Sequence, residues 1–141
     1  MTLCLMVRMG PTLFAIPVSE VAETLRVLPI DPLPDVPLFV LGLMILHGSP
    51  VVAVDLARLL GQERTGKRVV VLKVGSRQVA LVVESVVGLR EISDEALHDT
   101  PPLLNARYQP FVDAIGASDN ELFMVLNAAR SFPDDLWGVA G

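Results

Sequence analysis

Chemistry by this chain would have to come from a short set of side chains. Gly61-Gln62-Glu63-Arg64-Thr65-Gly66-Lys67-Arg68 follows the phosphate-binding pattern Gly-x-x-x-x-Gly-Lys up to its last position, where Arg68 stands in place of the Ser or Thr that would hold magnesium. Such a loop must also follow a strand and open a helix, so that amide N–H groups surround the anion. Here the pattern predicts a helix before the loop and a strand after it, which argues against nucleotide binding. Ser49 lies in His-Gly-Ser-Pro, not in the Gly-x-Ser-x-Gly elbow that presents a reactive hydroxyl. Glu20 and Glu23 could form a paired-carboxylate site, but nothing marks a cleft around them, and acids on an outer face are usually just solvated.

One cysteine, Cys4, excludes an internal disulfide framework, and together with two histidines, His47 and His98, it falls short of a structural zinc site. Cys4 reads as a small buried hydrophobe in a strand. His98 lies in the polar run Leu97-His98-Asp99-Thr100 and reads as a surface residue. His47 ends a strongly apolar run at a tight turn, where a titratable donor would face a partner or a neighbouring carboxylate. A purely structural turn role fits its position equally well. No nucleophile, base and electrophile converge, so the reading is of a non-enzyme with no cofactor and no metal.

The elements that must position these residues are short strands. Thr2 to Met9 and Thr12 to Val18 are β-favouring runs split by Gly10-Pro11, which predicts a hairpin. Val21 to Leu28 continues extended, and prolines 29, 32, 34 and 37 forbid regular helix after it. Phe39 to Leu46 and Val51 to Val54 form a second pair around His47-Gly48-Ser49-Pro50, with Gly42 marking a bulge or close backbone approach. Asp55 caps a short helix, Leu56 to Leu60, that Gly61 ends. Arg68 to Val74 and Gln78 to Val83 form a third pair around Gly75, which Val86 to Glu91 extends. A helical turn capped by Ser93 follows, and Pro101-Pro102 stops it. Phe111 to Ile115 and Leu122 to Leu126 form the last pair, and Asn127 caps a terminal helix.

Much of this is written twice. Leu5 to Val21 lies without a gap over Val70 to Val86, an offset of 65, with Gly10/Gly75, Ala15/Ala80, Val18/Val83 and Val21/Val86 identical and Arg8/Lys73 conserving charge. At an offset of 72, Val54-Asp55-Leu56-Ala57-Arg58 is echoed by Leu126-Asn127-Ala128-Ala129-Arg130, a strand end followed by a helix cap. Two copies of one small all-β unit follow, with approximate subdomains 1–66 and 67–141, and strand exchange between them is open.

Composition sets the partner class. Apolar residues make up 52% of 141, far above what disorder permits, while only 19% are charged, which leaves apolar surface for partners. A net charge of −5 opposes nucleic-acid binding in general. The local exception is residues 58 to 77, which hold six of the eleven Lys and Arg against one acid, Glu63. The alternative function is therefore a small β-barrel that binds nucleic acid through Arg58 to Arg77, although seven aromatic residues in all give little base stacking. Residues 36 to 56 are the only membrane candidate, and His47 to Pro50 break them too early for a ~20-residue span. Met1 to Met9 lacks the pattern of a secretion signal, so a cytoplasmic location is expected.

The segment Phe39 to Leu56, with Phe14-Ala15-Ile16-Pro17-Val18, Val21, Glu23, Pro34, Pro37 and Leu81-Val82-Val83-Glu84-Ser85-Val86, resembles the CheW-like domain, the adaptor family of bacterial chemotaxis. The similarity runs from about residue 3 to residue 132. It implies two intertwined five-stranded SH3-like β-barrels with short capping helices. It also implies a non-catalytic adaptor coupling a methyl-accepting chemoreceptor's cytoplasmic tip to the regulatory domain of a CheA-type histidine kinase, in the cytoplasm but recruited to membrane-associated receptor arrays. By the same resemblance Val21, Glu23, His47, Gly48, Val86 and Leu89 face the receptor, while Leu41, Gly42 and Leu43 face the kinase. The family usually places Arg after Asn-Leu where Ile45-Leu46 leads to His47, and a proline where Ala53 precedes Val54-Asp55. Glu23 matches the acid that partners that Arg, so the resemblance makes Glu23 and His47 neighbours.

Overall fold

A computed structural model describes residues 1–63, 66–99, 112–118 and 120–127. Twelve strands and one short helix follow in order: β1 Thr2–Met9, β2 Thr12–Pro17, β3 Val21–Arg26, β4 Ile30–Asp31, β5 Val40–Leu46, β6 Ser49–Asp55, α1 Leu56–Leu59, β7 Arg68–Val74, β8 Arg77–Val83, β9 Ser85–Ile92, β10 Leu97–His98, β11 Val112–Ser118 and β12 Glu121–Leu126. Single 3₁₀ turns occupy Val18–Glu20 and Asp94–Ala96, and in the second the Ser93 hydroxyl accepts the Glu95 N–H at 3.2 Å. The expected terminal helix after Asn127 and the Pro101-Pro102 stop lie outside the described residues.

The strands form two six-stranded sheets, β10-β11-β12-β2-β1-β9 and β3-β7-β8-β6-β5-β4. Each holds five strands of six residues or more and one two-residue strand. The chain is all-β, in keeping with paired SH3-like barrels. Each early hairpin is completed by strands from the other half of the chain: β1 and β2 by β9 to β12, β7 and β8 by β3 to β6. Two parallel pairings seal the arrangement, Phe123–Val125 against Leu13–Ala15 and Val52–Asp55 against Val79–Val82.

Period-two alternation explains the core. In β1 and β2, Leu5, Val7, Met9, Phe14 and Ile16 face a large shared cluster, while Cys4, Met6, Leu13 and Ala15 face a smaller one with Ile92 and Phe123. In β7 and β8, Val70, Leu72, Val79, Leu81 and Val83 face the same shared cluster, while Val69, Val71, Ala80 and Val82 face another with Met44 and Leu46. Strands buried on both faces need unbroken apolar runs, which is why Val69-Val70-Val71-Leu72 carries no polar residue. Each fully buried Val or Leu contributes roughly 1.5–3 kcal/mol from area removed from water.

Two details differ from expectation. The second hairpin turns in two residues, because Leu46 pairs with Ser49 and both His47 (φ 50°) and Gly48 (φ 83°) are left-handed. That is the type I′ turn, whose twist matches the strands it joins. Ile30–Asp31, in the proline-bearing stretch to which the sequence assigns no regular element, is a short strand against Leu43 and Met44. Residues 36 to 56 fall largely in this β5–β6 hairpin, and among the described residues no helix is long and apolar enough to cross a membrane.

Candidate functional site

Strand β3 and the β5–β6 turn bring together two residues that are 24 positions apart. His47 Nε2 lies 2.6 Å from Glu23 Oε1, with the histidine side chain 74% and the glutamate 37% exposed. The left-handed turn throws His47 clear of the sheet, and a register shift between Val21 and Glu23 aims the carboxylate at it. Gly48 is exposed beside it. Glu23 is thus engaged with His47.

Val21 and Val86 are half-buried and pack against the shared core from β3 and β9. On β9 the outward residues Val87 and Leu89 are exposed, Leu89 to 60%. Among the three residues ascribed to kinase contact, Leu41 and Leu43 are half-buried and pack against different core clusters. Gly42 is buried, at φ +145°, where a Cβ would stand 2.0 Å from the Asp31 carbonyl oxygen. It sits at a β-bulge between Val40 and Gly42 and also under the close approach of β4. Gly42 therefore sets the shape of β5.

The glycines of the partial phosphate loop have structural explanations. Gly61, at φ +72°, follows Leu60 at the end of α1, and its N–H donates to the Arg58 carbonyl at 3.1 Å. Gly66 lies against β8, where a Cβ would meet Val82 Cγ1 at 2.5 Å and the Val83 carbonyl oxygen at 2.7 Å, and the Lys67 N–H donates to that oxygen at 3.0 Å. A helix precedes the segment and a strand follows, the reverse of a phosphate loop.

Among the described residues the buried charged side chain is Asp55, which caps α1 by accepting the Ala57 N–H at 2.9 Å and lies 3.7 Å from Arg58 Nε. Burial pushes its carboxyl above the ordinary carboxylate range, against the opposing pull of the Ala57 N–H and the Arg58 guanidinium. Burial likewise pushes the Cys4 thiol up, and the Glu20 carboxylate adds to the shift. Among the described residues no group of three or more His, Cys, Asp and Glu could hold a metal.

Sequence reasoning missed a clamp between the sheets. Glu84, between β8 and β9, accepts the Gly10 N–H at 2.6 Å, and its own N–H donates to the Arg8 carbonyl at 3.1 Å. Arg8 in turn reaches Glu121 of β12 at 2.8 Å. The only sequence signal was that the repeat alignment set Glu84 against Ser19, an acid where the other copy has a short hydroxyl.

Residues 3–135 match the CheW-like domain family. The chain is 27% identical over 132 residues to the "Chemotaxis protein CheW" of Rhizobium meliloti, covering 91% of this chain and 85% of that one. It is 30% identical over 128 residues to the "Protein FrzA" of Myxococcus xanthus, covering 87% and 80%. Its fold matches the crystal structure of the scaffolding protein TtCheW from Thermoanaerobacter tengcongensis with a TM-score of 0.82 at 18% identity, over 93% of this chain and 97% of that one.

Proposed function

The chain belongs to the CheW-like domain family, and from that premise we propose that it couples the cytoplasmic tip of a chemoreceptor to the regulatory domain of a CheA-type histidine kinase. As a member of the family it is a non-catalytic adaptor of chemotaxis-type signalling. The finer reading, with its two named partners and its recruitment to membrane-associated arrays, rests on one observation above the others. An acid and an imidazole meet at 2.6 Å on an exposed turn, where ion pairs contribute little to stability. A solvated pair of that kind is better suited to recognition.

The surroundings fit a helical partner. Val21 and Val86 present half-buried apolar surface, and Leu89 adds an exposed side chain. A receptor hairpin laying an apolar face on these residues would find a polar lock at Glu23, His47 and Gly48, the usual division of labour in helix recognition. Leu41 and Leu43 would serve the kinase, with Gly42 holding the strand in shape.

Calorimetry with each partner separately tests the reading. The kinase regulatory domain and the receptor tip should each bind with micromolar affinity. His47→Ala and Glu23→Ala should weaken the receptor at least fivefold and leave the kinase unchanged, while Leu41→Ser does the opposite. Loss of both partners in every variant, or of neither, would overturn the assignment of faces.

A further inference from the structure

Among the described residues Leu38 is, apart from the terminal Met1, the most exposed large apolar side chain, at 79%. Its neighbours Val36, Phe39 and Val40 pack on the shared core, so Leu38 is left at the tip of the turn that brings the chain into β5. A single exposed leucine on a loose loop would mean little. Leu38 is not so placed. Three successive carbonyls hold its backbone: Pro37 accepts the Val40 N–H at 3.0 Å, Leu38 accepts from Arg58 Nη1 at 3.1 Å, and Phe39 accepts the Asp55 N–H at 2.9 Å.

The middle bond comes from a side chain. Arg58, on the single turn of α1, also lies 3.7 Å from Asp55 Oδ2 through its Nε. Because Asp55 is buried, the guanidinium is fastened at one edge by a fixed carboxylate and reaches the turn with the other. A planar fork can span two acceptors in this way, whereas a lysine ammonium is a point charge on a flexible stem. The turn therefore shows its leucine in one position, and a preorganised side chain loses little entropy on docking. Leu38 also lines one recess with Val27, Ile30 and Leu41, so a partner seated on Leu41 covers Leu38 as well.

We propose that Leu38 is the anchor of the kinase-facing surface, entering an apolar hollow of the kinase regulatory domain, and that Arg58 is the positioning residue that holds it there. The inference rests on the reading that places Leu41 at the kinase, and it supplies a fully projecting side chain to that face. Leu41 and Leu43 are half-buried and offer only part of their surface. None of the residues ascribed to the receptor lines this recess, which keeps Leu38 on the kinase side. Arg58 acts through the Leu38 carbonyl.

Calorimetry on the full chain, with the kinase regulatory domain and the receptor tip in turn, tests it. Leu38→Ser should weaken the kinase at least tenfold and leave the receptor unchanged. It should also keep the parent's thermal midpoint, because the side chain it removes is exposed. Arg58→Lys keeps a cation for Asp55 but not the fork, and should weaken the kinase about fivefold. The double variant should bind no more weakly than Leu38→Ser alone, since Arg58 then has nothing left to position. Additive losses would make Arg58 independent of Leu38 and overturn its role. Kinase affinity unchanged by Leu38→Ser would overturn the anchor while leaving the kinase reading intact, whereas a parent that binds no kinase domain overturns both. Sedimentation supplies the remaining check. A parent that self-associates and becomes monomeric on Leu38→Ser would assign Leu38 to a second copy of this chain and overturn the proposal.

Discussion

Val21 and Val86 occupy one place in two halves of the fold: Val21 pairs with Leu72 and Val86 with Val7, and both the pair of valines and the pair of partners stand 65 positions apart. The pairings run crosswise. Val21, from the first copy of the repeat, binds a strand of the second, and Val86, from the second, binds a strand of the first. Both then pack on one shared apolar cluster.

Neither half of the chain can therefore complete a sheet alone. A fragment of residues 1–66 would keep β1 and β2 without β9 and β12, and β3 to β6 without β7 and β8. It should show no cooperative thermal transition, and mixing it with residues 67–141 should restore one. A cooperative transition in either fragment alone would show that the exchange is dispensable.

Gly42→Ala should be severely destabilising. Its Cβ would lie 2.0 Å from the Asp31 carbonyl oxygen, a backbone atom that cannot rotate away, and the residue already sits at φ +145°. A cost of about 3 kcal/mol or more is expected for strain of this kind at a buried site. Urea unfolding measures it. By contrast Gly48→Ala meets nothing within 4 Å and should pay only for its left-handed φ.

The hairpins were legible because their strands carry local signals. Gly10 and Gly75 mark the turns, and the apolar runs beside them have the length of strands. Gly42 was legible for the same reason, as a glycine inside an apolar strand. The parallel pairings of β2 with β12 and of β6 with β8 were not legible, because contacts between residues 27 to 110 positions apart leave no periodicity. Ile30–Asp31 was hidden by Pro29 and Pro32, whose φ and missing N–H argue against a sheet, although a two-residue strand needs neither proline. The turn at His47-Gly48 was obscured because His is not the usual partner of Gly in a type I′ turn. The meeting of Glu23 with His47 came from the family resemblance alone, since nothing in their spacing signals it.

The Glu23–His47 pair should be nearly silent in stability. Both side chains are more than a third exposed, so Glu23→Gln and His47→Ala should each unfold within about 0.5 kcal/mol of the parent in urea. His47→Arg should also fold normally and retain binding of the receptor tip. A loss of stability large enough to melt the fold would make the pair structural and remove the main support for its role in recognition.

Cys4 is 3% exposed and its thiol is pushed up by burial and by Glu20. Both effects disfavour the thiolate, the form that reacts. Iodoacetamide at pH 8 should leave the native chain unmodified and label it fully in 6 M guanidinium, read by intact mass. Rapid labelling of the native state would place the N-terminal strand outside the core.

Asp55 gives a pH dependence of definite sign. Its folded pKa is raised by burial, so the folded state holds that proton more tightly than the unfolded state does. The stabilisation it contributes is full below the unfolded pKa of ~3.9 and is lost as pH rises through the higher folded value. Asp55→Asn keeps an oxygen to accept the Ala57 N–H while removing the charge. Asn stability relative to wild type should therefore rise as pH is raised through that window, then level off. The difference between the two proteins, followed by urea unfolding at successive pH values, isolates Asp55. Asp55→Ala loses the cap as well and should cost about 1 kcal/mol relative to Asn at every pH. A wild type that gains on Asp55→Asn as pH rises would mean that the Ala57 N–H and Arg58 outweigh burial and hold the carboxyl down.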